Sequence, residues 1–248
     1  MLNKNIFLKV SEEGIQIKNK NLRLKHKGIN PLKDIEGIKI KNKNVYIIVE
    51  GEEVHIKLLK LPKVSKWDLN SLIRNELIFL YGRKANNIFY TYTVLNETIE
   101  DIDVLVFCMN LKDVKALEKI ISDNKIKKIN IIQFNMLNYF KSYIKDKTYI
   151  LIFKDENKIY FLGITYENLV ANRIVNLESK NYEYFLMEGF NYCVNRIEKF
   201  TKGLENIYYV NFKEEEKDLY MQNHIYKYKD LGSVDKTKIL QYFSIKRN

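Results

Sequence analysis

"YILIFKDENKIYFLGIT", residues 149–165, holds the outline of the fold. It reads as two apolar strands joined by a tight, acidic turn over Lys154-Asp155-Glu156-Asn157-Lys158. An earlier stretch, "FLKVSEEGIQI" (7–17), has the same form, with strands near 5–10 and 14–19 around Ser11-Glu12-Glu13. The two hairpins make a weak internal repeat, one opening each half of the chain.

Between and beyond them the elements alternate. Strands are expected near 36–41, 44–50 and 53–61, separated by "KNKN" and "EGEE" turns. Ser65 followed three residues later by Asp68 forms a capping box, so a helix begins near Lys66. Leu69, Leu72, Ile73, Leu77 and Leu80 recur at helical spacing and Gly82 ends the run. Glu76 falls on this apolar stripe, where a carboxylate is expected to be paired rather than catalytic. Strands at 87–95 and 101–109 follow, then a helix capped by Asn110 with Asp113, carrying Val114, Leu117, Ile120 and Ile121. The stretch 53–132 thus reads as strand–helix–strand–strand–helix–strand, a compact α/β unit. A short helix near 135–145 precedes the second hairpin. A third strand at 168–176, a long helix near 181–201, a strand at 206–212 and a helix near 233–243 complete the chain.

The 248 residues suffice for two small lobes with their own cores, and 46% apolar with 29% charged residues is a globular composition. The 18 Tyr and 13 Phe predict an aromatic core or binding surface. Nine glycines and two prolines leave few Gly-dependent ligand loops. The formal charge of +11 suits an anionic surface, but lysines are spread through turns and helix faces, with no Arg cluster and no nucleic-acid signature. Cys108 and Cys193 lie in apolar patterns as small buried hydrophobes; His26, His55 and His224 are isolated, so no metal site is expected. Two scattered cysteines and no signal peptide point to the cytosol, and no apolar run approaches the roughly 18 residues of a membrane span.

The order of elements resembles the PilM family of type IV pilus assembly and its type II secretion counterpart, the cytoplasmic part of GspL. The resemblance is carried by "VHIKLLKLPKVSKWDLNSLIRNELIFLYGRKANNIFYTYTVL" (54–95), "DVLVFCMNLKDVKALEKII" (103–121), Arg173 on its strand, and "FLMEGFNYCVNRIEKFTKGLENIYYVNF" (185–212). It implies an α/β, truncated two-lobed actin-like (ribonuclease H-like) fold. Residues 1–146 would form the first lobe, with a small α/β subdomain inserted near 53–128, and 147–248 the second.

In nucleotide-binding members of that family, each hairpin carries Asp-x-Gly and a Gly pair follows the last long helix. The corresponding stretches here are Lys9-Val10-Ser11-Glu12-Glu13, "FKDENK" and Asn211-Phe212. A phosphate loop offers backbone N–H groups at close range, which glycine permits. Glu12, Glu13, Asp155 and Glu156 would instead set carboxylates beside phosphates; at about 4 Å, a like-charge pair costs on the order of 4 kcal/mol at an effective dielectric of about 20. Lys9 or Lys154 could soften this. A helix usual in the first lobe is reduced to "NPLKDIEG".

The expectation is therefore a non-catalytic scaffold with no nucleotide, cofactor or metal. The resemblance implies that it docks the cytoplasmic segment of a bitopic inner-membrane PilN-like protein, relays contact with the motor ATPase, binds no nucleic acid and lies peripheral to the membrane. Arg74, Tyr90 and Tyr92 are the candidate contacts, on a docking surface between the subdomain and the first lobe. The residues alone leave open an actin-like ATPase with divergent loops, or a basic membrane-surface or nucleic-acid binder.

Overall fold

The computed structural model describes residues 5–11, 14–18, 44–51, 53–110, 125–201, 203–213, 216, 226–235 and 238–239. The expected strand at 36–41, the Glu12-Glu13 tip, the helix after Asn110 and most of the last helix lie outside the described residues. The chain runs β1 (Asn5–Ser11), β2 (Gly14–Lys18), β3 (Asn44–Val49), β4 (His55–Pro62), α1 (Lys66–Tyr81), a 3-10 turn (Gly82–Asn87), β5 (Ile88–Glu97), β6 (Asp101–Asn110), β7 (Lys125–Ile131) and α2 (Ile132–Phe140). It continues with β8 (Thr148–Asp155), β9 (Lys158–Thr165), β10 (Asn168–Asn176), α3 (Tyr182–Glu198), β11 (Asn206–Val210) and β12 (Lys227–Asp230).

Two sheets follow one plan. The first has the order β2-β1-β3-β7 and the second β10-β9-β8-β11-β12. In each, the first hairpin strand pairs antiparallel with its partner and takes a parallel neighbour on its other side, with a second parallel strand beyond. The hairpin repeat seen in the sequence is thus a repeat of topology, the layout of a two-lobed actin-like fold. β8 and β9 are apolar and buried on both faces because they sit at the centre of a covered sheet. α3 packs on β10 and β9. Gly189 makes that approach possible, since a Cβ there would lie 3.1 Å from the Phe161 ring.

Between β3 and β7 lies the insert, a three-stranded antiparallel sheet of order β4-β6-β5 with α1 on one face. Ser65 is the N-cap as expected: the Asp68 N–H donates to Ser65 Oγ at 3.3 Å, while the Asp68 carboxylate accepts from the Ser65 hydroxyl at 2.6 Å. Leu69, Ile73 and Leu77 of α1 pack with Leu61, Ile102, Val104, Val106 and Cys108 as a separate small core. Period-2 alternation sends Leu105 and Phe107 to the other face, where with Ile56 they join the main core. Glu76 is half-buried on its helix.

The structure departs from the expected α/β unit at its last strand. Residues 125–131 leave the insert and run parallel to β3, completing the first sheet. A parallel pair needs a long crossover, and the insert has grown within it. α2 starts earlier and is shorter than the expected 135–145; its N-cap position, Ile131, has no capping side chain to mark the start. Among the described residues no helix is long and apolar enough to cross a membrane.

Candidate functional site

Lys9 and Glu50 of the first lobe meet the β8–β9 turn of the second in the cleft between the lobes. Lys9, near the end of β1, is 5% exposed. Its Nζ lies 2.7 Å from Glu50 Oε2, just past β3, and 2.8 Å from Glu156 Oε1, in the β8–β9 turn. Burial alone would lower the Lys9 pKa, but hydrogen bonds to Glu156 and Glu50 outweigh it and hold the ammonium above its usual value. Glu156 sits at φ +53, a left-handed conformation that glycine adopts more readily. Beside it the Gly51 N–H donates to Tyr160 Oη at 2.9 Å, and the Tyr160 ring stacks on Phe153 at 4.4 Å. Burial pushes the Tyr160 phenol's pKa well up, so the hydroxyl stays protonated. Gly51 has φ +82, and a Cβ there would lie 2.5 Å from Lys158 Nζ. The space left among Lys9, Glu50, Asp155 and Tyr160 is ≈ 40 Å³. That is room for water, against roughly 300 Å³ or more for ordinary small-molecule sites.

The seam continues beyond the tips. The Val54 N–H donates to Asn172 Oδ1 at 2.9 Å, and Gln133 Nε2 donates to the same oxygen at 3.2 Å. Arg173 bridges Glu53 at 3.2 Å and Glu188 at 3.0 Å and stacks over Tyr192. At the third position where glycine was expected, Asn211 adopts φ +66. Its Nδ2 donates to the Lys154 carbonyl at 3.2 Å and its Oδ1 accepts from the Val234 N–H at 2.7 Å. Phe212 is buried against Tyr209. The chain's own side chains occupy this corner.

A second concavity of ≈ 210 Å³ opens between the insert sheet and the first lobe. Val54, Phe89, Phe107, Met109, Ile131 and Phe134 line it, with Asn130 as a polar member. Phe107 and Phe134 meet edge to face at 5.4 Å, and Phe89 is 46% exposed. Of the three sequence candidates, Tyr90 borders this groove, but its hydroxyl donates to Asn70 Oδ1 of α1 at 3.0 Å. Tyr92 packs beside it in the small core under α1. Arg74 is exposed on α1, close enough to Tyr90 to act on its titration. The structure thus brings the three together at the α1–β5 edge. The alternate residues Phe89 and Thr91, opposite Met109 and Phe107, share the groove face. Sequence reasoning missed Glu50, Tyr160 and Phe89; the "FYTYT" alternation held the signal for Phe89, but not which face met the lobe.

Cys108 and Cys193 are both buried and free, and burial pushes the Cys108 thiol up to about 11. Among the described residues no group of three or more His, Cys, Asp or Glu could hold a metal ion.

No protein-family model matches the chain, and no curated protein matches it in sequence. Solved structures do match in fold. The chain is similar to a structure of the PilM–PilN type IV pilus biogenesis complex, at 10% identity and a TM-score of 0.58, over 95% of this chain and 89% of that one. It is similar to a Bacteroides thetaiotaomicron protein of actin-like ATPase fold and unknown function, at 12% identity and TM-score 0.54, over 98% and 97%. It is also similar to the cytoplasmic domain of EpsL, an inner-membrane component of the type II secretion system of Vibrio cholerae, at 8% identity and TM-score 0.52, over 98% and 96%. The fold is therefore actin-like, and the resemblance expected from the order of elements is met at the level of the fold.

Proposed function

We propose that this protein is a non-catalytic cytoplasmic scaffold of a type IV pilus or type II secretion platform, peripheral to the inner membrane. It docks the cytoplasmic segment of a bitopic PilN-like partner in the groove between the insert and the first lobe. The groove carries the reading: it is an open apolar trough in a chain whose fold is similar to a structure of the PilM–PilN type IV pilus biogenesis complex. An extended peptide fits such a trough, with alternate side chains entering pockets and aromatics anchoring it. Among the described residues, the water-sized space around Lys9 supports the absence of ATP chemistry there. The net charge of +11 favours a place beside an anionic leaflet, by about 1 kcal/mol per lysine close to the surface.

The test is calorimetry with a synthetic peptide of the cytoplasmic tail of a bitopic PilN-like protein from the same genome. Binding is expected, and Phe89→Asp should weaken it by at least about tenfold, roughly 1.4 kcal/mol. If no such tail binds the wild-type chain, or if Phe89→Asp leaves the affinity unchanged, the docking site is wrong.

A further inference from the structure

We infer that Lys9 is a built-in fastener of the two lobes, and that through residues 50–54 it keeps the peptide groove formed without any nucleotide. The first half stands on the cleft alone; the second rests on the docking reading above.

Lys9 and Glu50 belong to the first lobe and Glu156 to the second. The ammonium is therefore shared across the cleft. A buried charge is tolerated only when it is paired, and here one of the two counter-charges is supplied by the opposite lobe. Separating the lobes strips Lys9 of Glu156 and opens its site to water. Removing the ammonium instead takes the shared cation from between Glu50 and Glu156, with Asp155 buried alongside and Lys158 lining the same space. Lys9 thus ties a carboxylate of each lobe to one ammonium. The bond from Gly51 to Tyr160 crosses the same seam and aligns it.

The link to the groove is short. Glu50 and Gly51 are in the clasp, Glu53 pairs with Arg173 of the second lobe, and Val54 both bonds Asn172 and lines the groove. A single short stretch thus runs from the fastener to the wall of the groove, gripped by the second lobe at Gly51, Glu53 and Val54. Closed lobes hold Val54 in place; open lobes release it.

Spin labels at Ser71→Cys on α1 and Tyr184→Cys on α3 report the separation of insert and second lobe in the full chain; both native cysteines are buried. The otherwise wild-type chain should give one narrow distance distribution, unchanged by millimolar Mg-ATP. Glu156→Gln removes the cross-lobe charge at an exposed turn and leaves each core intact, and it should broaden the distribution. Lys9→Met should broaden it further, whereas Lys9→Arg should stay near wild type. If the variants close only about a tenth of the time, their affinity for the tail peptide falls about tenfold. Identical distributions in wild type, Glu156→Gln and Lys9→Met would overturn the fastener, as would a wild-type distribution that shifts with Mg-ATP. Broadening with undiminished peptide affinity would overturn the coupling to the groove. A wild-type chain that binds no tail peptide, while the variants still open, removes the docking reading and leaves the fastener standing.

Discussion

Lys9 replaces no glycine, yet it explains more of the cleft than any missing one. Its pKa is raised in the folded state, because bonds to Glu156 and Glu50 outweigh the cost of burial. A raised cation contributes stability that is complete below the unfolded value, about 10.4 for lysine, and is lost as pH climbs through the folded value. The other charged groups lining the space are Asp155, Lys158 and Glu178. The difference in melting temperature between wild type and Lys9→Met should therefore stay flat from about pH 7 to 9 and shrink only above about 10.4. A difference that collapses between pH 7 and 9 would mean that Lys9 is not the charge holding the seam. From the sequence, Lys9 was visible only as a cation near acidic tips. Its partners were not, because Glu50 and Glu156 come within 3 Å of it only through strand pairing and lobe contact. Asn211 was similarly opaque: its identity says polar, while its φ of +66 and two clasping bonds depend on where residues 154 and 234 arrive.

At the scale of elements, local chemistry was the readable part. The Ser65–Asp68 box, the 3.6-residue spacing of Leu69, Ile73 and Leu77, and Gly82 at φ +57 place α1 within a residue or so of its ends. Ile73 is fully buried in the small core beneath that helix. Ile73→Ala should cost about 2–5 kcal/mol of insert stability. In hydrogen exchange, amides of α1 and β4–β6 should exchange faster while β8–β10 keep their protection. Equal loosening of both regions would show that the insert has no core of its own. What the sequence could not convey was adjacency. Alternation in β5 put Tyr90 and Tyr92 on one face, but only the structure says that α1 takes that face and leaves Phe89 for the groove. The strand at 125–131 likewise carries no mark of its destination; its partner β3 lies on the far side of the insert in sequence.

At the scale of the molecule, two sheets of one plan are joined by the clasp at Lys9 and Glu156 and by residues 51–54. Mg-ATP offers the simplest check. A ligand at about a thousand times its dissociation constant adds about 4 kcal/mol, which for a chain of this size raises the melting temperature by about 8 °C or more. Millimolar Mg-ATP is expected to shift it by less than about 1 °C, and a large rise would mean that the clasp opens to admit the nucleotide. The position of the insert has a mechanical consequence. Its chain leaves from the C-terminal end of β3 and returns at the start of β7, and these two strands run parallel, side by side. Tension along β3 therefore meets its neighbours in shear. Six residue pairs with β1 and six with β7 share the force at once, rather than parting one after another as in a peeled hairpin. A pull on the insert along that direction is thus borne without unzipping the sheet that anchors it.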